Sequence, residues 1–138
     1  MREIWFRGKR LDNGQWIEGW LIRRTYPAIE TTLGYIVTKG RSLVIDTVYP
    51  VDPSTAGQYT GLRDKNGKMI FEGDIVQFYG TYALEVFIEH GHTMIRWFDT
   101  VSNRKYTEMF FGHDEEEGEC EVIGNIHDNP ELLKGESK

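Results

Sequence analysis

The sequence predicts an all-β protein, with an N-terminal β-hairpin region and a small barrel in its C-terminal half. Three observations predict it. Short segments rich in β-branched and aromatic residues recur along the chain, several with two-residue alternation. Turn signals such as Asn13-Gly14 and Asn66-Gly67 separate them. No amphipathic pattern extends beyond two helical turns. Four Trp, seven Tyr and seven Phe in 138 residues suit a thin core filled by bulky side chains.

Glu3 to Arg7 reads as a strand, Asp12-Asn13-Gly14 as a type I′ hairpin turn, and Gln15 to Ile22 as the returning strand. Residues 23–34 read as irregular, with Pro27 and Gly34 as breakers. Gly34 to Thr38 and Leu43 to Tyr49 form a second hairpin pair, and Pro50 and Pro53 are expected to end regular pairing. Asp52 caps a single helical turn begun by Pro53. Asn66-Gly67 turns the chain between two short strands, and Glu72-Gly73-Asp74 leads sharply into Ile75-Val76-Gln77-Phe78-Tyr79. Strands follow at about 83–89, 93–99, 104–111 and 119–127. Five short strands with brief turns are the pattern of a small barrel. In them Met94, Arg96 and Phe98 alternate with Ile95 and Trp97, as half-buried strands do. Asn129 and Pro130 open a last short helix before a polar tail.

The length suits one domain whose core needs no disulfide or metal. Cys120 is the single cysteine, so no intrachain disulfide forms and a reducing cytoplasm is the expected compartment. The start, Met1-Arg2-Glu3-Ile4-Trp5, lacks the apolar core of a secretory signal, and no run approaches the roughly 20 apolar residues of a membrane helix. The net charge of -6 speaks against a dominant phosphate-backbone partner. It is unevenly spread: residues 1–50 carry eight Lys/Arg against five Asp/Glu, and residues 101–138 four against ten. Such polarity suits self-association between unlike surfaces.

Three blocks carry a family resemblance: Ile4-Trp5-Phe6-Arg7-Gly8-Lys9, the long run from Val51-Asp52-Pro53-Ser54-Thr55-Ala56-Gly57 through Gln58-Tyr59-Thr60-Gly61-Leu62-Arg63-Asp64 to Gly73-Asp74-Ile75-Val76, and Val122-Ile123-Gly124-Asn125-Ile126-His127-Asp128-Asn129-Pro130-Glu131-Leu132-Leu133. They resemble the YopX family of phage- and prophage-encoded proteins. The resemblance implies a mainly β domain with an SH3-like barrel in the C-terminal half. It offers no catalytic residues to carry over. The layout expected from both readings together is a single domain with an N-terminal β-hairpin region over 1–50, a connecting block over 51–71, the barrel over 72–127, and a short helix and tail over 128–138.

Each candidate site has a structural reading beside its functional one. Gln58, Tyr59, Thr60 and Arg63 form a polar-aromatic stretch suited to an interaction surface, but its glycines and Asp64 equally read as turn chemistry. Glu72 and Asp74 offer two carboxylates, more simply a barrel-entry turn. His90 and His92 flank a hairpin tip without the further ligands a structural zinc site requires, so no metal site is predicted. The acidic run from His113 to Glu119 reads as a solvated loop; Cys120 and His127 share a terminal strand, but no third group marks a catalytic pair and Cys120 reads as a small core residue. No phosphate-binding loop or nucleophile elbow is present, and no cofactor is implied. Arg7, Lys9, Arg10, Arg23 and Arg24 lie near Trp16 and Trp20, a mixture seen on single-stranded nucleic-acid binders and on any half-exposed hairpin.

The function expected is therefore that of a phage or prophage accessory protein, non-catalytic, acting in the bacterial cytoplasm through protein contacts or self-assembly. The alternatives are a nucleic-acid-binding module built on the N-terminal hairpin, and an enzyme of unidentified class.

Overall fold

A computed structural model describes residues 5–26, 31–38, 47–78, 82–99, 101–114 and 118–133. The protein is all-β, with antiparallel ladders throughout. It divides into two compact units, residues 1–59 and 60–138, so the division falls inside the stretch read as a connecting block.

The first unit contains β1 (Phe6–Lys9), β2 (Trp16–Tyr26), β3 (Thr31–Thr38) and β4 (Thr47–Val51) in the order β4-β3-β2-β1. The start of β5 (Gly57–Arg63) adds beside β1, with Gly57 and Gln58 opposite Arg7 and Phe6. The β1–β2 turn differs from the two-residue type I′ expected at Asn13-Gly14. Only Gly14 takes a positive φ, +70°, and its N–H donates to the Arg10 carbonyl at 2.9 Å around a longer loop. The Asn13 side chain supports that loop by accepting the Gln15 amide at 2.9 Å.

Two breaker assignments are corrected. Residues 23–26 and 31–34 are strand, paired from Arg23↔Gly34 to Tyr26↔Thr31. The β-branched and aromatic residues Thr25, Tyr26, Thr31 and Thr32 favour the pleat, and cross-strand pairing outweighs the polar look of Arg23-Arg24. Pro50 lies within β4 opposite Tyr35. Among the described strands β4 is outermost, so the missing N–H costs no ladder bond there, while the Pro50 carbonyl accepts the Leu11 amide at 3.0 Å. The strand expected over 43–49 and the breaker Pro27 lie partly or wholly outside the described residues.

After β4, Asp52 caps a 3-10 turn over Pro53–Thr55 by accepting the Ser54 amide at 3.0 Å. Thr55 is buried and joins this turn to β1, its hydroxyl accepting the Lys9 amide at 2.9 Å.

The second unit begins with the rest of β5, which pairs with β6 (Met69–Phe71) around the Asn66-Gly67 turn. Then come β7 (Asp74–Gln77), β8 (Leu84–Glu89), β9 (His92–Asp99), β10 (Arg104–Met109), the short pair β11 (His113–Asp114) and β12 (Gly118–Glu119), and β13 (Glu121–Asn125). The main sheet has the order β10-β9-β8-β7-β13. The single strand expected over 119–127 is thus interrupted. Cys120 turns into the core between β12 and β13, a register shift between Val122 and Gly124 bends β13, and Ile126 to Asp128 form a turn.

One face of this sheet carries the core: Ile70, Val76, Phe78, Leu84, Val86, Ile95, Phe110 and Cys120, with Leu62, Trp97 and Val122 packed against them. Phe78 and Phe110 meet edge to face at 6.4 Å. Each wholly buried Ile or Val here stabilises by roughly 1.5–3 kcal/mol relative to exposure. Alternation along the strands then fixes what faces the other way, and that face is where side chains of functional type collect.

Candidate binding surface

On the second face of the sheet, pairing aligns Ile75, Glu85, Arg96 and Thr107 in a row across β7, β8, β9 and β10. The Arg96 guanidinium lies 3.8 Å from the centre of the Phe87 ring, and its Nε is 3.5 Å from a Glu85 carboxylate oxygen. Phe87 is nearly buried on this side, so Arg96 roofs an aromatic that alternation keeps out of the main core. Glu85, Arg96, Trp97, Phe98, Lys105 and Leu133 line an open groove of about 310 Å³. That volume lies at the low end for ligand pockets, enough for one or two side chains. The lining supplies apolar area, two cations and one carboxylate.

Beside the groove runs β10, exposed along its whole length and paired with β9 alone among the described residues. Its six ladder pairs run without a bulge from Arg104↔Asp99 to Met109↔Met94. Tyr106 stacks on Trp97 at 5.6 Å, and the chain leaves β10 with Met109 49% and Phe111 61% exposed. The strand enters from a turn held by Asp99, which accepts the Val101 amide at 2.9 Å and the Ser102 hydroxyl at 3.0 Å. Those two bonds hold its carboxyl below the ordinary range.

The residues singled out by sequence are placed as follows. Arg7 is buried to 8% exposure with its guanidinium 4.7 Å from the Trp16 ring centre, and the Lys9 ammonium lies 5.4 Å from the same ring. Arg10 sits 4.3 Å over Tyr49 and grips Asp12 with two bonds, of 2.6 and 2.9 Å. That hydrogen-bonded pair lowers the Asp12 pKa and raises the Arg10 pKa. Arg7, Lys9, Arg10 and Trp16 are therefore gathered, but the cations are directed at rings and at Asp12. Trp20, Arg23 and Arg24 lie on β2, and their side chains fall outside the described residues.

Of the stretch read as an interaction surface, Tyr59 and Thr60 are buried, and the Thr60 hydroxyl donates to the Ile70 carbonyl at 2.7 Å. Gln58 is half-buried, and Arg63 is exposed with Nη1 donating to the Gly67 carbonyl at 2.9 Å. Only Gln58 and Arg63 of the four reach the surface, because β5 turns its other residues inward.

The Asp74 carboxylate accepts the Phe71 amide at 2.8 Å across the Glu72-Gly73 turn, which is the barrel-entry geometry. His90 and Gly91 form the β8–β9 turn, and His92 is exposed at its foot. Among the described residues no three His, Cys, Asp or Glu side chains are grouped to hold a metal ion. Residues 115–117 of the acidic run lie outside the described residues. Sequence reasoning did not select Arg96, Lys105 or Tyr106. The usable signal was the alternation of 93–99, which sets Arg96 and Phe98 on the face away from Ile95.

These features define a small all-β protein with a cationic, aromatic sheet face and a regular open strand edge. The chain belongs to the YopX protein family, whose model matches residues 5–134. Among solved structures it is similar to protein EF1440 from Enterococcus faecalis, with 24% identity and a TM-score of 0.52, over 97% of this chain and 100% of that one. That likeness is one of fold. A search of curated proteins returns no significant match. No helix among the described residues is long and apolar enough to cross a membrane.

Proposed function

We propose that this protein is a phage or prophage accessory protein that acts in the bacterial host cytoplasm through protein contacts, with other proteins or with its own copies, not by catalysis. The observation that carries the reading is β10: a regular edge strand, exposed throughout, ending in Met109 and flanked by Phe111 and the groove. Edge strands are usually blunted by bulges, proline, charged side chains or cover, and one that is regular and uncovered among the described residues supports recognition by strand addition, with its charges setting which partner fits. The lone, buried Cys120 agrees with a reducing compartment. The phage setting rests on the family resemblance. The strand order, a meander whose last strand returns beside its first, supports reading the second unit as an SH3-like barrel. Nucleic-acid binding through the N-terminal hairpin has less support, since Arg7 is buried and Arg10 is engaged by Asp12.

A photo-crosslinking phenylalanine analogue placed at position 106 and expressed in host cells tests the reading. Protein adducts should form there and not from the same group at position 92, the exposed hairpin foot. No adduct at 106, or equal labelling at both positions, would overturn it.

A further inference from the structure

We propose that the occupant of the β10 edge is the β10 edge of a second copy, paired antiparallel in a single register centred on Tyr106. This rests on the reading of β10 as the binding element and names its partner.

Two-fold symmetry narrows the choices. Antiparallel strands at neighbouring sheet edges are related by an axis normal to the sheet, which preserves each face. One residue must then lie opposite its own copy, with its neighbours paired symmetrically about it. The strand reads Arg104-Lys105-Tyr106-Thr107-Glu108-Met109. Centring on Arg104, Lys105 or Glu108 sets a like charge against itself. Centring on Met109 leaves Arg104 to Glu108 with no partner in the facing strand. Centring on Thr107 places Lys105 opposite Met109 and Tyr106 opposite Glu108, with no opposite charges facing.

Centring on Tyr106 places Arg104 of each copy opposite Glu108 of the other, twice by symmetry, and Lys105 opposite Thr107. Tyr106 meets Tyr106 on the axis. Opposite-charge and aromatic cross-strand pairs each favour pairing, and like charges directly opposite disfavour it. Tyr106 is already stacked on Trp97, so it comes to the axis held by an ordered ring. Arg104 and Glu108 are both exposed and form no ion pair among the described residues, so each remains available to the second copy. No Pro, Gly or register shift interrupts the edge, and Lys105, the residue type that most often discourages edge pairing, faces Thr107 in this register instead of a like charge. The joined strands would merge two five-stranded sheets into one and bring the two grooves, lined by Phe98 and Lys105, side by side along the new strand pair. A contact of five residues per copy is smaller than a standard interface, so association in the micromolar range or weaker is expected.

Sedimentation equilibrium of the full chain, from micromolar to near-millimolar concentration, tests this. The wild-type protein should show a monomer–dimer equilibrium. Arg104→Glu alone and Glu108→Arg alone should each weaken it at least about tenfold, because each turns two attractive pairs into two repulsive ones. The double variant Arg104→Glu/Glu108→Arg should restore dimerisation, since the swapped charges again face their opposites. Both sites are exposed, and unchanged circular dichroism would verify that each variant folds. Tyr106→Cys should oxidise to a covalent dimer, whereas Lys105→Cys should do so only when mixed with Thr107→Cys, because directly opposed positions meet disulfide geometry.

A wild-type chain that stays monomeric throughout, or a double variant that does not recover, would overturn the inference. The two levels separate in the crosslinking experiment at position 106. Adducts with other proteins and none of dimer mass leave strand-edge binding standing without the second copy, while no adduct of any kind removes both.

Discussion

The Asp64 carboxylate accepts the Val122 amide at 2.9 Å, tying the Asn66-Gly67 turn to strand β13, far along the chain. Its other oxygen accepts the amides of Asn66 and Lys68, each at 2.9 Å. Asp64 is only 5% exposed, so a buried carboxylate organises one turn and one distant strand together. Hydrogen bonds to a charged acceptor are among the stronger ones, and removing it strands buried donors. Asp64→Ala should destabilise the protein by about 3 kcal/mol, read from the denaturant midpoint at unchanged m-value. Asp64→Asn should cost less, because it keeps one acceptor while turning an amide donor toward another donor. An effect under about 0.5 kcal/mol for the alanine variant, the range of ordinary surface changes, would contradict this account.

The same carboxylate makes stability depend on pH. Burial pushes its pKa up, but the amides of Val122, Lys68 and Asn66 together pull it further down, leaving it below the ordinary value. A depressed folded-state pKa means that the unfolded chain takes up the proton first. The stabilisation is therefore complete above the unfolded value of about 3.9 and is lost as pH falls through the folded value. Unfolding free energy measured from pH 7 downward should drop more steeply below about pH 4 in the wild type than in Asp64→Asn. Parallel curves would rule out this role for Asp64.

Much of this organisation was legible in the chain, because turns and alternation are local. Asn66-Gly67, the Asp52-Pro53 cap and Glu72-Gly73-Asp74 each declare a backbone conformation within a few residues, and Gly67 and Gly73 do take positive φ. Gly14 does too, but the turn around it is longer than an Asn-Gly pair requires, because Asn13 supports the loop with its side chain instead. Pro50 looks like a breaker in the local sequence, but its place in an outermost strand is a property of sheet order. Tyr59 and Thr60 look like surface residues until the inward turn of β5 is known. Arg96, Phe87 and Glu85 come together only through the β8–β9 register, which alternation limits to two faces but does not set.

His90 takes φ +52° and Gly91 φ +79° in the two-residue turn joining β8 to β9. Such a turn wants Asn or Asp followed by Gly, since the left-handed region is costly for most side chains. His90→Asn should stabilise by roughly 0.5–1 kcal/mol, and Gly91→Ala should destabilise by about 1 kcal/mol. Both positions are exposed, so packing should not mask the backbone effect. Chemical denaturation of the two variants checks the signs, and a destabilised His90→Asn would contradict the turn geometry.

Gly124 is needed for space. A Cβ built there would lie 2.5 Å from Asn129 Oδ1 and 2.8 Å from its Cγ. That Oδ1 accepts the Asn125 amide at 3.2 Å, so the asparagine that caps the end of β13 also occupies the position a side chain would fill. Gly124→Ala should cost about 1–3 kcal/mol through this clash and the lost amide bond. In a double-mutant cycle, Asn129→Ala should make Gly124→Ala less costly, giving a coupling of about 0.5 kcal/mol or more. Strict additivity would show that the glycine is tolerated for some other reason.

Cys120 lies wholly inside the core cluster, and burial, aided by the nearby Asp64 charge, pushes its thiol pKa up to about 11. Only the thiolate attacks disulfide reagents, so the folded protein should resist labelling at pH 8 while the unfolded chain reacts freely. The labelling rate should rise with denaturant along the unfolding transition and match the rate or extent of opening measured by fluorescence. The raised pKa also has a signed effect on stability. Its contribution is fully present below the unfolded thiol value of about 8.5 and declines as pH climbs toward 11, because only the unfolded chain ionises readily in that window. Rapid labelling of the native protein at pH 8, at the rate of an exposed thiol, would place Cys120 at an accessible site and overturn its assignment to the core.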